Sequence, residues 1–248
     1  GDRVAITDYK DALAANNGEI PAPNQIGYLL EFDAHVVESM AGNNNFDIIK
    51  SLNPDELVQN GLYCNNDESF FTPSVITRST RDGGYGKQDP TRCPICNEKL
   101  EEVHWEKRGE AYYNPKTNET FFRSKMGGKW ITIKQPSNTY LRQEYINYII
   151  NTIGNAEEVL KTHNFNAVQN RFDVRSLVQW YIVEEFMNNT DSSMHSSVFV
   201  TLDVGGKIKL GPVWDFDRSA GNTDYWNTNN AIDSLYKAHW FGHLFQMP

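Results

Sequence analysis

Residues 211 to 222 read GPVWDFDRSAGN, and in this stretch Asp215 and Asp217 flank Phe216 directly after an apolar segment. A strand interior disfavours aspartate, and two carboxylates beside Trp214 and Phe216 would be expensive to bury without a cation or a dense set of donors. The pattern predicts a ligand at these acids. Upstream, MNNTDSSMHSS carries Asp191 and His195 among turn-forming residues, with a solvated role for the lone histidine. A second chemistry is that of sulfur. Cys93-Pro94-Ile95-Cys96 has the spacing of a zinc knuckle, in which one turn aims two thiolates at one ion; Cys64 could add a third ligand and Asp67, His35 or His104 a fourth. The alternative for the same cysteines is three free thiols or a single disulfide.

Periodicity shows the elements that must position these groups. Leu141, Tyr145, Ile149 and Ile153 recur every four residues and predict a helix with one apolar stripe. Val174, Leu177, Val178, Tyr181, Ile182 and Glu185 recur at helical spacing behind Asp173, a good N-cap, and predict another helix. That phase puts Glu185 either inside with a partner or at the rim of the core, and a salt bridge to the following loop is the expectation. Beyond the loop, SVFVTL, the turn Asp203-Val204-Gly205-Gly206 and KIKLGPV read as a hairpin. IGYLLEFDAHVVE, apolar on both faces at its middle, predicts an interior strand, and KWITIK a shorter one closed at Gln135-Pro136. From about residue 42 to 128 the composition shifts to Asn, Asp, Gly and Lys with scattered aromatics, which predicts an insertion with its own small structure.

Helix, Asp191 loop, hairpin and Asp215 follow one another, so the hairpin would return the chain and set two acids, 24 positions apart, on one pocket. Phosphoryl transfer uses such a pair: one carboxylate orients or deprotonates the acceptor hydroxyl, and the other holds the magnesium that bridges nucleotide phosphates. Protein kinases present a catalytic-loop Asp, a hairpin and then Asp-Phe-Gly; here Asp-Phe-Asp takes that last position.

The segments GYLLEFD, ITIKQP, EEFMNNTDSSMHSSVFV and KIKLGPVWDFDRSAGN resemble the CotH family of spore-coat and secreted bacterial proteins, which are atypical protein kinases. The resemblance runs over most of the chain. It implies an α+β, protein-kinase-like fold, ATP and magnesium as cofactors, a protein substrate with Ser or Thr acceptors, and an extracellular, cell-surface or spore-coat location. On that resemblance Asp191 corresponds to the catalytic-loop Asp, Asp215 to the metal-binding Asp, and Asp217 to a second metal-site or supporting carboxylate. Lys134 would contact phosphate or line the hinge. Ser196 stands where the general kinase pattern has a metal-holding Asn, and a hydroxyl is the weaker ligand, so a second magnesium would be loosely held. The resemblance further implies that the chain carries mainly the catalytic-loop and metal-binding half of the family domain.

Composition narrows the alternatives. A net charge of -9 argues against a nucleic-acid partner, which needs clustered Lys and Arg. No apolar run approaches the roughly 18 residues of a membrane span, and the opening GDRVAITDYK lacks a signal-peptide pattern. An Asp-x-Asp also holds manganese in nucleotide-sugar transferases, whereas DFDRSAGNTD departs from a calcium loop at Ser219 and Ala220. GGYGK lacks the spacing of a phosphate loop. The competing class is a non-catalytic surface module whose acids bind a divalent ion and whose aromatics bind glycan or protein.

Overall fold

Tyr28, Leu30 and Phe32 alternate along one short strand and are fully buried, so one face of that strand looks into a core. The computed structural model describes residues 6–33, 36, 38–40, 49–79, 89–189, 193–194, 196–217, 219–220 and 235–247. The chain divides into two units, one of residues 1–34, 109–111 and 120–248, the other of 35–108 and 112–119. The elements are mixed and the sheets antiparallel, an α+β architecture. Among the described residues no helix is long and apolar enough to cross a membrane.

In the first unit the strands that matter are β1 (Tyr28–Phe32), β2 (Glu119–Arg123), β3 (Trp130–Gln135), β4 (Val198–Leu202) and β5 (Lys209–Leu210). They lie in the order β5-β4-β1-β3-β2, which gives β1 the interior position its apolar middle predicts. Leu30 sits opposite Val200 and Ile133, and Phe32 opposite Val198 and Ile131. Paired residues share a face. This apolar row joins the core with the helix α1 (Gln143–Lys161), which turns Tyr145, Ile149 and Ile153 inward as its stripe predicts and adds Ile146 and Ile150. The opposite face carries the row Phe199, Glu31, Thr132.

The hairpin forms as expected: Val200 pairs with Leu210 and Thr201 with Lys209, and the turn is closed by Gly206 N–H donating to Asp203 O at 2.9 Å. Asp203 also accepts from the backbone N–H and hydroxyl of Thr7 and from Val204 N–H, which fixes the turn to the start of the described chain.

The helix α2 (Val174–Met187) begins at Asp173, whose carboxylate accepts Ser176 N–H, as an N-cap should. Its phase differs from the sequence expectation. The buried residues are Leu177, Trp180 and Glu184, while Val178 is 50% and Ile182 58% exposed. VRSLVQWYIVEEFM has apolar residues on every side, so spacing alone cannot choose the inward face. Trp180 decides it by stacking on Phe241 of α3 (His239–Leu244), with ring centres 5.6 Å apart. Glu185 lies at the rim of the core, half-exposed, where it meets the Tyr181 hydroxyl, and Glu184 takes the inward position; the loop residues 190–192 and 195, to which the sequence predicts a salt bridge, lie outside the described residues.

A buried polar knot ties α1 to α3. Glu157 is fully buried and accepts from Met126 N–H and Trp240 Nε1–H, both at 3.1 Å. Ser124 Oγ lies 2.5 Å from Glu157 and 2.7 Å from Met126 O. The Ser124 hydroxyl faces both acceptors, and burial, opposed by the surrounding hydrogen bonds, raises Glu157 above the usual carboxylate value.

The second unit is built on shorter elements. Strand Leu62–Cys64 lies between Ser69–Phe71 and Glu101–Glu102, antiparallel to both. Helix Pro54–Asn60 is capped by Asn53, and Leu57, Phe71 and Trp105 are buried, with the Trp105 ring edge-on to Phe70 at 5.5 Å.

Candidate functional site

Helix α2 ends at Asn188, in the left-handed conformation (φ 48°), with its N–H returned to the carbonyls of Glu184 and Glu185. This is an αL helix stop, and it sends the chain into the loop that carries Asp191. Asp191 and His195 lie outside the described residues, but the two ends of their loop do not. Asn189 is buried and splits its amide hydrogens between two acceptors, Glu184 Oε2 at 2.9 Å and Asp215 O at 3.2 Å. Ser197, at the other end, donates its hydroxyl to Asp215 Oδ2 at 2.7 Å. Both ends of the loop thus close on Asp215, one on its backbone and one on its carboxylate.

The Asp215 segment is held from the other side as well. Trp214 lays its ring on Phe199 of β4, centres 5.0 Å apart, and donates Nε1–H to Ser197 O at 2.8 Å. Beyond it, Ser219 bonds back to Phe216 O through N–H and hydroxyl, and Ala220 N–H reaches Met187 O at 2.7 Å. Asn188, Met194, Ser197, Asp215 and Ala220 all have positive φ. Such conformations cost of order 1 kcal/mol each for residues with a side chain and gather at functional sites.

Charge is distributed unevenly around this centre. Asp215 is half-buried and Asp217 exposed. Glu184, 2% exposed, is raised by burial from 4.5 to about 7, and the Asn189 hydrogen bond only partly opposes that rise. Ser196 is buried, and its neighbour Ser197 is the hydroxyl that reaches Asp215. Lys134 on β3 pairs with Glu31 on β1, Nζ to Oε2 3.0 Å. Glu31 shares a sheet face with Phe199, on which Trp214 rests. Lys134 therefore sits about two strand spacings, roughly 10 Å, across the sheet from β4.

A family model described as CotH kinase protein matches residues 96–247. The chain belongs to the CotH kinase family. No curated protein and no solved structure matches it. The CotH match takes in Lys134, Asp191, Ser196, Asp215 and Asp217, and so the entire carboxylate centre with Glu184, Asn189 and Ser197. Strand β1, with GYLLEFD and Glu31, lies before it.

Cys64, Asp67, Cys93 and Cys96 form a separate cluster in the second unit, with one ligand atom from each and all of these within 4.8 Å of one another. Only Cys96 falls inside the CotH match. The cysteines are free, so a metal ion could be held here. Of the fourth ligands the sequence offers, Asp67 is the one in place; His104 is exposed and engages Val58 O, and His35 lies outside the described residues.

Sequence reasoning missed Asn189, Ser197 and Glu184 at the carboxylate centre. Asn189 had the look of an ordinary helix-stop residue and Ser197 of one serine among several. A signal for Glu184 existed in Trp180, four residues earlier on the same helix face, had the bulkiest side chain been used to set the phase.

Proposed function

We propose that this protein transfers the γ-phosphoryl group of ATP to a Ser or Thr side chain of a protein, on a protein-kinase-like scaffold. The observation that carries the reading is that both ends of the Asp191 loop hydrogen-bond to Asp215. A loop tied at both ends to Asp215 is the arrangement phosphoryl transfer needs, with the segment of the acceptor-orienting acid anchored to that of the metal-holding acid.

The donor set suits the cofactor. Asp215 and Asp217 offer carboxylate oxygens and no sulfur or imidazole, the preference of a hard ion such as magnesium. When held by Asp215 and Asp217, magnesium would neutralise charge that develops on the transferred phosphoryl group. The protein's own residues do the rest. Ser197 fixes the rotamer of Asp215 by holding Oδ2, and Asn189 fixes its backbone. Asp191 orients the acceptor hydroxyl and takes its proton. Lys134 contacts phosphate, Ser196 helps hold metal weakly, and Asp217 supports the ion from the solvent side. The proposed setting is the cell surface or spore coat.

The test is ATP turnover with added magnesium. Wild-type protein should gain thermal stability from Mg·ATP, none from a UDP-sugar, and should incorporate the γ-phosphate into Ser or Thr. Asp215→Asn should lose the Mg·ATP stabilisation, and Asp191→Ala should keep it while transfer falls by about 100-fold or more. Undiminished labelling by Asp191→Ala would overturn the assignment, and stabilisation by calcium alone would favour a non-catalytic module.

A further inference from the structure

Two turns in the second unit offer ligands at the same pair of positions. In Cys93-Pro94-Ile95-Cys96 and in Cys64-Asn65-Asn66-Asp67 the first and fourth residues carry the side-chain ligands, and in the Cys93 turn the N–H of Ile95 donates to Cys93 Sγ at 3.4 Å. A neutral thiol is a poor acceptor, whereas a thiolate gains from such a donor.

The sheet brings the turns together. The Cys64–Asp67 turn closes the hairpin in which Cys64 pairs with Ser69. The Cys93–Cys96 turn leads through Leu100 into Glu101–Glu102, which pairs alongside Leu62 and Tyr63. It is closed by Cys93 N–H to Glu98 O at 2.7 Å and turns at Asn97 with φ 63°. Cys64 and Cys96 sulfurs lie 3.5 Å apart, and Asp67 Oδ2 lies 3.2 Å from Cys64 Sγ and 3.1 Å from Cys93 Sγ.

We propose that these two turns bind one structural zinc ion, with Cys64, Cys93 and Cys96 as thiolates and the Asp67 carboxylate as the fourth ligand. Tetrahedral zinc with Zn–S near 2.3 Å and Zn–O near 2.1 Å sets ligand atoms roughly 3.5 to 3.8 Å apart, a few tenths of an ångström beyond the three separations just given, and all four ligand atoms lie within 4.8 Å of one another. Three sulfur donors disfavour magnesium and calcium, and four protein ligands leave no open position for catalysis. Binding displaces the thiol protons. The ion would fasten the Leu62–Phe71 hairpin to the Cys93–Cys96 turn in a unit whose strands are two or three residues long. This site is independent of the acids around Asp215, so either proposal can fail alone.

Metal analysis of the full chain, purified under reducing conditions without added metal, should give one zinc per chain, and the Cys93→Ser, Cys96→Ser double variant should give none. After exchange with cobalt, the near-ultraviolet thiolate-to-metal band should fall by about a third in Cys96→Ser and rise by about a third in Asp67→Cys. The Asp67→Cys gain does not depend on a damaged protein folding. Chelation should speed hydrogen exchange in Leu62–Phe71 and Thr91–Leu100 and leave β1 and β4 unchanged. Absence of zinc, iron in its place, a Cys64–Cys96 disulfide in the native protein, or no rise of the band in Asp67→Cys would each overturn the proposal.

Discussion

Replacing Glu184 by glutamine should remove a defined part of the pH dependence of stability. Burial raises the Glu184 carboxyl from 4.5 to about 7 in the folded protein. Between those values the folded chain keeps a proton that the unfolded chain has released, so stability falls as pH rises. The contribution is fully present below 4.5 and gone above about 7. One proton corresponds to about 1.4 kcal/mol per pH unit, so the window is worth at most about 3 kcal/mol. Glu157, raised in the same way, runs in the same direction. His239 runs the other way: burial lowers it from 6.5 to about 4, and its contribution is lost as pH falls through that range. His243, also lowered by burial, runs with His239, and wild-type stability alone would mix all of these groups, but those other than Glu184 are common to both proteins and cancel in the difference. The glutamine side chain of Glu184→Gln keeps the volume and can still accept the Asn189 N–H now held at 2.9 Å. Urea unfolding of both proteins at intervals from about pH 4.5 to 7.5 should show the variant gaining on wild type by about 2 to 3 kcal/mol across the range, with the difference level above about pH 7.5. A difference that stays constant within about 0.5 kcal/mol over that range would mean that Glu184 ionises as freely in the fold as in the unfolded chain, and the reasoning would fail.

Glu157→Ala should cost about 3 to 5 kcal/mol, read as a lower urea midpoint at unchanged slope, because it strands the Trp240 N–H and leaves a cavity among Ser124, Met126 and α1. A loss under about 1 kcal/mol would show that the knot is not structural. Gly61→Ala should destabilise the second unit by about 3 kcal/mol, since the new Cβ would fall 2.1 Å from Val103 O and 2.6 Å from Leu57 O, both backbone atoms. Hydrogen exchange in Leu62–Phe71 is the measurement, and protection equal to wild type would refute the close packing.

Local rules carried the elements that rest on near neighbours. The α1 stripe, the Asp173 cap, the hairpin turn and the interior place of β1 each depend on residues within a few positions, and each was legible. The phase of α2 was not, because it is set by Phe241, far along the chain. At the carboxylate centre the types Asp215 and Asp217 announced a ligand, but the support given by Asn189 and Ser197 is a matter of distance.

The sequence by itself determined which chemistries the chain can host: paired acids for a hard cation, and Cys-x-x-Cys with one more cysteine for a soft one. Side-chain chemistry does not depend on the fold. Only the tertiary structure decided which candidates meet. It put Asp67 rather than His104 among the thiols, turned Glu184 inward in place of Glu185, and closed both ends of one loop on Asp215. Those choices follow from strand pairing and the packing of large rings between distant segments, energies that do not exist until the chain has folded.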